Sequence, residues 1–299
     1  MKKAAFVGTG LIGTGLAVNA VMHGYDVHMF YRRNLEALQD RVRASLQIFA
    51  ENSVCSAEQA EAWFQSITFT MDLAEAVQGA VIIQESIAER LEMKQELYAQ
   101  IQDICGDGPI IASSTSELFP SALSAGAKYP ERIVVGHPYN PSHLLPVIEI
   151  CGGETASAET VASAKAIYAE WGKVPVICLK ETKGFIVNSV SWAATRVCRE
   201  QVVNGVCTAE DMDKAIMYGP GLRMAVLGQI LTMSLGVEGG FREMAAKYGL
   251  PFNPDNEILA QGVDEMLENR SPEQGNTPET AQAYRDKMIL EILKLQNML

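Results

Sequence analysis

Up to Gly184, short apolar β-rich runs alternate with longer segments in which apolar and polar residues recur at helical spacing. Strand-length runs fall at residues 4–7, 27–30, 80–84, 110–112, 133–136, 147–151 and 175–179, and helical patterns at 11–22, 35–65 and 156–170. Such alternation predicts an α/β fold with a parallel sheet, doubly wound in the Rossmann manner. Residues 35–65 exceed what one crossover requires, so a pair of helices projecting from the sheet is expected there. Past Gly184 the alternation stops. Residues 185–204, 209–217 and 281–298 read as helices, and 271–279, rich in Pro, Gly and polar residues, as a surface loop. An all-α C-terminal domain follows, with the boundary at Lys183-Gly184 and domains of 1–183 and 184–299. The sequence shows no internal repeat and no low-complexity segment.

Composition narrows the class. A chain of 299 residues, 48% hydrophobic and 20% charged, is long enough for two domains and can bury a sizeable core. No apolar run approaches the roughly 20 residues that span a bilayer. The N-terminal Lys2-Lys3 and the apolar residues after them resemble a signal peptide only until Gly8, Gly10, Gly13 and Gly15 interrupt the run. Six cysteines are scattered without a Cys-x-x-Cys pair, which points to reduced thiols and a cytoplasmic protein, and no metal-ligand pattern is read. The net charge of −12 argues against nucleic acid as a partner, since phosphate backbones need a concentrated basic surface. A small anionic ligand needs only one local cluster of positive charge.

The chemistry begins with Gly8-Thr9-Gly10-Leu11-Ile12-Gly13, a G-x-G-x-x-G motif between a strand and a helix. Gly8 allows a tight turn, Gly10 lets a pyrophosphate approach the backbone, and Gly13 lets the helix pack on the strand. Free N–H groups and the positive end of the helix dipole then meet the phosphates. Enzymes that prefer NAD place Asp or Glu at the end of the second strand; here that place holds Tyr31, followed by Arg32 and Arg33. Two guanidiniums without a repelling carboxylate suit a 2′-phosphate, so NADP is favoured over NAD. The alternative is that both arginines form a solvated loop face.

Of four histidines, His23 sits at a helix end and His28 within a strand, whereas His137 follows an apolar run and opens His137-Pro138-Tyr139-Asn140-Pro141, read as a rigid loop. Twelve residues on, Glu149 lies inside the apolar run Pro146-Val147-Ile148-Glu149-Ile150, where an unpaired carboxylate would be costly. An imidazole held by that carboxylate can take a proton from a hydroxyl. On these residues alone, an acid/base pair and a satisfied structural pair stand equally open.

Ser113-Ser114-Thr115-Ser116, His137-Pro138-x-Asn140-Pro141, Glu149 and Gly184-Phe185-Ile186-Val187-Asn188 together resemble the 3-hydroxyacyl-CoA dehydrogenase family over the whole chain. The resemblance implies that His137 is the general base in alcohol oxidation, that Glu149 orients and charges it, and that Ser116 and Asn188 hydrogen-bond the substrate oxygen. It also implies that Glu89, Lys94 and Asn140 contact the cofactor; without it, Glu89 and Lys94 read as a solvated helix face. Gln84-Glu85-Ser86, Glu89-Arg90-Leu91-Glu92, the stretch from Tyr129 to Pro146, and Gly219-Pro220-Gly221-Leu222-Arg223 resemble the branch acting on free hydroxy acids. That branch includes the L-carnitine and L-gulonate dehydrogenases.

Residues 35–65 hold only Arg41 and Arg43 as bases, few for the phosphates of CoA. A quaternary ammonium asks for an aromatic cage, and the corresponding positions here carry Tyr139, His143 and Met224, with Trp192 near Asn188. The substrate is therefore expected to be a small 3-hydroxy acid or related polar alcohol, with Tyr139, His143, Trp192 and Arg223 as candidate contacts. Arg223, placed in a loop between helices, either binds a substrate carboxylate or serves as a helix cap. Two rival readings remain: a thioester substrate, or a non-catalytic NADPH-binding protein of crystallin or sensor type. The family's helical domain usually mediates pairing, and the apolar segment 185–203 predicts a homodimer.

Overall fold

The computed structural model describes residues 1–251 and 253–299. Eight strands form one sheet: β1 (Lys3–Val7), β2 (Asp26–Phe30), β3 (Thr68–Thr70), β4 (Ala80–Glu85), β5 (Ile110–Ser113), β6 (Ile133–Pro138), β7 (Val147–Cys151) and β8 (Val174–Cys178). Their order is β3-β2-β1-β4-β5-β6-β7-β8. Neighbours run parallel except β6 and β7, which are antiparallel. The expectation of a parallel sheet is thus corrected at its last two strands. The connection 139–146 is shorter than the roughly dozen residues that a crossover to a parallel neighbour requires, so the chain turns back on itself. The short edge strand β3 has no counterpart in the sequence reading, because three residues are too few to display a period.

Helices cover both faces. On one side lie α1 (Leu11–Met22), α2 (Leu35–Glu51) and α3 (Ala57–Gln65). The last two are the expected pair. Leu38, Val42 and Leu46 make an i, i+4, i+8 buried stripe on α2. Asn34 caps α2 through the Ala37 N–H, and Ser56 caps α3 through the Gln59 N–H, which sets the break between them. On the other side lie α4 (Leu73–Val77), α5 (Leu91–Cys105) and α6 (Pro120–Ser124). Helix α7 (Ala158–Glu170) buries Tyr168 and leads into Trp171, which packs against Phe6, Tyr25 and Tyr168. Because β1 is covered on both faces, Ala4, Ala5, Phe6 and Val7 are all buried, and its sequence is an unbroken apolar run rather than an alternation.

The chain packs as two units, 1–194 and 195–299, with α8 (Phe185–Val203) running across the division. The second unit is all-α, as the sequence predicts: α9 (Ala209–Tyr218), α10 (Pro220–Leu227), α11 (Gln229–Ser234), α12 (Gly240–Tyr248), α13 (Asp255–Glu268) and α14 (Pro278–Leu295). Its core is built on Leu227, Leu231, Phe241, Val263 and Leu267. Helix α14 starts three residues before the sequence reading places it, because Thr277 and Thr280 form a capping box and Pro278 sits at the first helical position. Among the described residues no helix is long and apolar enough to cross a membrane.

Candidate active site

The chain runs outward from β1 to β3 on one side and then resumes at β4 on the other, so a topological switch point lies between β1 and β4. The glycine motif sits there. Gly8 has φ +121°, and a Cβ on it would come within 2.4 Å of the Ser86 backbone. A Cβ on Gly13 would come within 2.1 Å of the Gly8 carbonyl oxygen. Both glycines are required by packing inside the chain. Gly10 is different: a Cβ there would meet nothing within 4 Å, so its lack of a side chain is not explained internally. Gly10 is also the N-cap of α1 and offers no side-chain cap, which leaves the N–H groups of the first turn, beginning with those of the exposed Leu11 and the half-buried Ile12, without an intrahelical partner. A smooth backbone surface at an uncapped helix N-terminus fits a dinucleotide pyrophosphate.

Beside this turn a cavity is lined by Gly8, Thr9, Tyr31, Arg32, Ile87 and Met93, with Glu96 and Gln100 on its α5 side. The fold therefore brings Tyr31 and Arg32 to the glycine turn. Arg33 is exposed and is not part of that lining.

At the ends of β4 and β5 lies a buried ionic network. Glu85 is 0% exposed and Lys94 1%. The Lys94 ammonium donates to Glu85 Oε1 at 2.7 Å, as does the Ile87 N–H at 2.7 Å. Tyr98 and Ser113 hydroxyls donate to Glu85 Oε2 at 2.6 and 2.8 Å. Burial, then the Glu85 charge, pushes the Tyr98 hydroxyl well above its ordinary pKa, so it stays a donor. Lys94 also lies 3.4 Å from Glu89 Oε2, and Glu89 Oε1 accepts from the Thr115 hydroxyl and, at 3.2 Å, from the Ser116 N–H. Lys94 is thus not on a solvated face, the reading its neighbours in sequence would support. Sequence reasoning missed Glu85, Tyr98 and Ser113. The available signal was a carboxylate closing an apolar strand nine residues before a lysine.

His137 is the second candidate centre. It lies within β6, one residue from its end, rather than in a loop, because the antiparallel pairing with β7 extends the strand to Pro138. The register sets His137 directly opposite Glu149, and the two side chains meet with Nδ1 2.8 Å from Oε2. The other carboxylate oxygen, Oε1, accepts the Ile186 and Val187 N–H groups at 2.7 and 2.9 Å, at the start of α8. These two N–H groups hold Oε1 in place and leave Oε2 to face His137. The His137 ring packs against Phe185 with centroids 5.5 Å apart. In the neutral form of the ring, an Nδ1–H donating to Glu149 leaves Nε2 bare and able to accept a proton.

Asn188 follows Val187 in the first turn of α8, so the carboxylate that faces His137 also anchors the turn carrying Asn188. No hydrogen bond joins Ser116 or Asn188 to His137 among the described residues; Ser116 is held by Glu89. Tyr139 donates from its hydroxyl to Ser191 of α8 at 3.2 Å. Trp192 lies over Gly184, where a Cβ would come 2.3 Å from its ring, and Asn140 is exposed. His143 is not drawn into this group. Its ring meets Phe49 of α2 edge-on, and burial followed by the Lys173 charge lowers its pKa. Arg223 belongs to the second unit and lies exposed within α10, not in a loop, because Pro220 suits the first turn of a helix.

Two family models match the chain: the 3-hydroxyacyl-CoA dehydrogenase NAD binding domain over residues 3–182, and the C-terminal domain of the same family over 184–276. The chain is 35% identical to L-carnitine dehydrogenase of a Pseudomonas species, over 98% of this chain and 94% of that protein. It is equally 35% identical to L-carnitine dehydrogenase of Bacillus cereus, over 99% and 92%. Among solved structures, an NAD+-dependent dismutase, 5-formyl-3-hydroxy-2-methylpyridine 4-carboxylic acid 5-dehydrogenase, superposes with a TM-score of 0.73 at 25% identity, covering 99% of each chain.

Proposed function

The chain belongs to the 3-hydroxyacyl-CoA dehydrogenase family, and from that premise we propose that it oxidises the hydroxyl-bearing carbon of a small free 3-hydroxy acid, with NADP as the favoured acceptor. That it is a nicotinamide-dependent dehydrogenase acting on a CH–OH group follows from the family and from relatives that are themselves dehydrogenases. Residues 1–183 are assigned the dinucleotide and 184–299 the substrate and dimerisation roles.

The observation that carries the proposal is the pairing of His137 with Glu149 across β6 and β7. His137 Nε2 takes the hydroxyl proton, and Glu149 fixes the tautomer and stabilises the imidazolium that results. Ser116 and Asn188 hold the substrate oxygen by hydrogen bonds. The bound nicotinamide supplies the hydride acceptor. The Gly8–Gly13 turn would hold its pyrophosphate; Glu89, Lys94 and Asn140 are carried over by resemblance, Lys94 acting through Glu89 because it is buried. Arg32 supports NADP: it lines the cavity at the end of β2, and the carboxylate in that lining, Glu96, comes from α5. Tyr139, which bonds Ser191 of α8, and Trp192, the next residue of that helix, are assigned the substrate's far end; His143 packs against Phe49 instead.

A free acid is favoured over a CoA thioester by the α2–α3 arm. Arg43 lies over the Phe64 ring, 3.8 Å from its centroid, and 3.8 Å from Glu61, so it is already engaged. The thioester reading retains the family's name in its support. The test is nicotinamide absorbance with free 3-hydroxy acids, carnitine included, and 3-hydroxyacyl-CoA thioesters, each with NADP and with NAD. Turnover of a free acid with NADP is expected, and His137→Ala should lower it by ~10²–10⁴-fold with cofactor binding intact. Turnover of thioesters alone would overturn the substrate class, NAD alone the cofactor preference, and normal turnover by His137→Ala the acid/base role.

A further inference from the structure

Lys173 stands just ahead of β8, and its side chain is 6% exposed. Among the described residues no carboxylate lies within ion-pair distance of it. Its ammonium donates to two main-chain carbonyls, those of Ser142 and, at 3.1 Å, Leu145. A buried cation without a counter-ion is costly, and burial pulls the Lys173 amine down to about 8. The titratable groups around it are few. His143 lies on the segment it holds, and His23 packs against the neighbouring Gly172. Glu170 is engaged by Lys2 and Tyr25.

The two carbonyls belong to residues 139–146, the connection between the strand that carries His137 and the strand that carries Glu149. The same segment is clasped from its other side by α1. Ser142 Oγ donates to the Ile12 carbonyl at 3.2 Å, and the Asn19 amide donates to the His143 carbonyl at 3.1 Å. A Cβ on Gly15 would fall 2.2 Å from Ser142 Oγ, so Gly15, outside the G-x-G-x-x-G motif, is glycine to admit this segment. One short stretch therefore bears on the cofactor helix and on both strands of the His–Glu pair.

We infer that Lys173 is a positioning residue: by holding the Ser142 and Leu145 carbonyls it fixes residues 139–146, and with them the alignment of His137 and Glu149 against α1. The inference rests on the reading of that pair as acid and base. A neutral apolar side chain would fill the same space without the desolvation cost of a buried ammonium, and that gain offsets the loss of two hydrogen bonds. What it would lose is directed hydrogen bonding to two carbonyls.

Lys173→Met is expected to lower kcat at least tenfold near pH 7, while the melting temperature does not fall and the dissociation constant for NADPH changes less than threefold. Wild-type kcat in this variant would overturn the inference. So would a parallel fall of kcat and melting temperature, which is the signature of ordinary packing. Should the variant fail to fold, hydrogen exchange in the wild-type protein decides.

Opening of residues 139–146 would release Lys173 from its folded pKa of about 8 to a solvated value near the usual lysine range. The open state then binds more protons above pH 8, so raising the pH disfavours opening. After correction for intrinsic exchange, protection of this segment should rise between pH 8 and 10, by at most about tenfold per unit. Flat or falling protection would overturn the inference. This reading needs no turnover, so it stands apart from any failure of the acid/base assignment at His137.

Discussion

At the scale of single residues, the glycines of the turn between β1 and α1 separate two reasons for the same residue type. Gly13 meets the Gly8 carbonyl, while Gly10 meets nothing and has an ordinary φ of −76°. Gly13→Ala should therefore destabilise the fold by about 1–3 kcal/mol, the usual cost of overpacking. Gly10→Ala should leave stability unchanged or raise it by about 0.5–1 kcal/mol, because alanine restricts the unfolded chain. Its effect should appear in ligand binding, as at least a tenfold loss of NADPH affinity in a fluorescence titration. Equal affinities for wild type and Gly10→Ala would mean that no ligand approaches the backbone there. The motif was legible in sequence because its glycines are contiguous, whereas the demand on Gly15 arises from Ser142, far along the chain, and left no local mark.

At the scale of elements, α5 is tied to the ends of β4 and β5 by the Glu85–Lys94 pair. Apolar burial supplies the rest of its attachment, through Leu97, Tyr98 and Ile101. Removing one partner of a buried pair leaves the other charge uncompensated, which typically costs about 3–5 kcal/mol. Lys94→Met should show a loss of that order in denaturant titration, and Glu85→Gln in the same chain should recover much of it, as coupled neighbours do. A loss under about 1 kcal/mol in the single variant would mean that the pair does not hold α5. Helix existence was readable for α1, α2, α3 and α7, where caps or long apolar patterns are local. The burial of Lys94 was not, since Lys94 and Glu92 look alike on a helical wheel until β4 and β5 close over one of them.

At the scale of the whole molecule, α8 leaves an apolar stripe open. Ile186, Val190 and Val197 share one face at i, i+4 and i+11 and are all exposed, and Phe185 is the one buried residue described on that helix. Such a stripe suits a second copy of the chain, the homodimer proposed from the sequence. Sedimentation equilibrium should give twice the chain mass, and Val190→Glu should shift the population to monomer; a monomeric wild type would end that proposal.

The sequence by itself determined the Rossmann class, the helical second half, the glycine turn between β1 and α1 and the residue types of the His137–Glu149 pair, because each is written in local periodicity or in a contiguous motif. Only the tertiary structure decided that β7 reverses, that His137 and Glu149 face each other at 2.8 Å, and that Lys94 and Lys173 are buried. These depend on which distant segments pack together, and burial changes the energy of a charge far more than anything its sequence neighbours reveal.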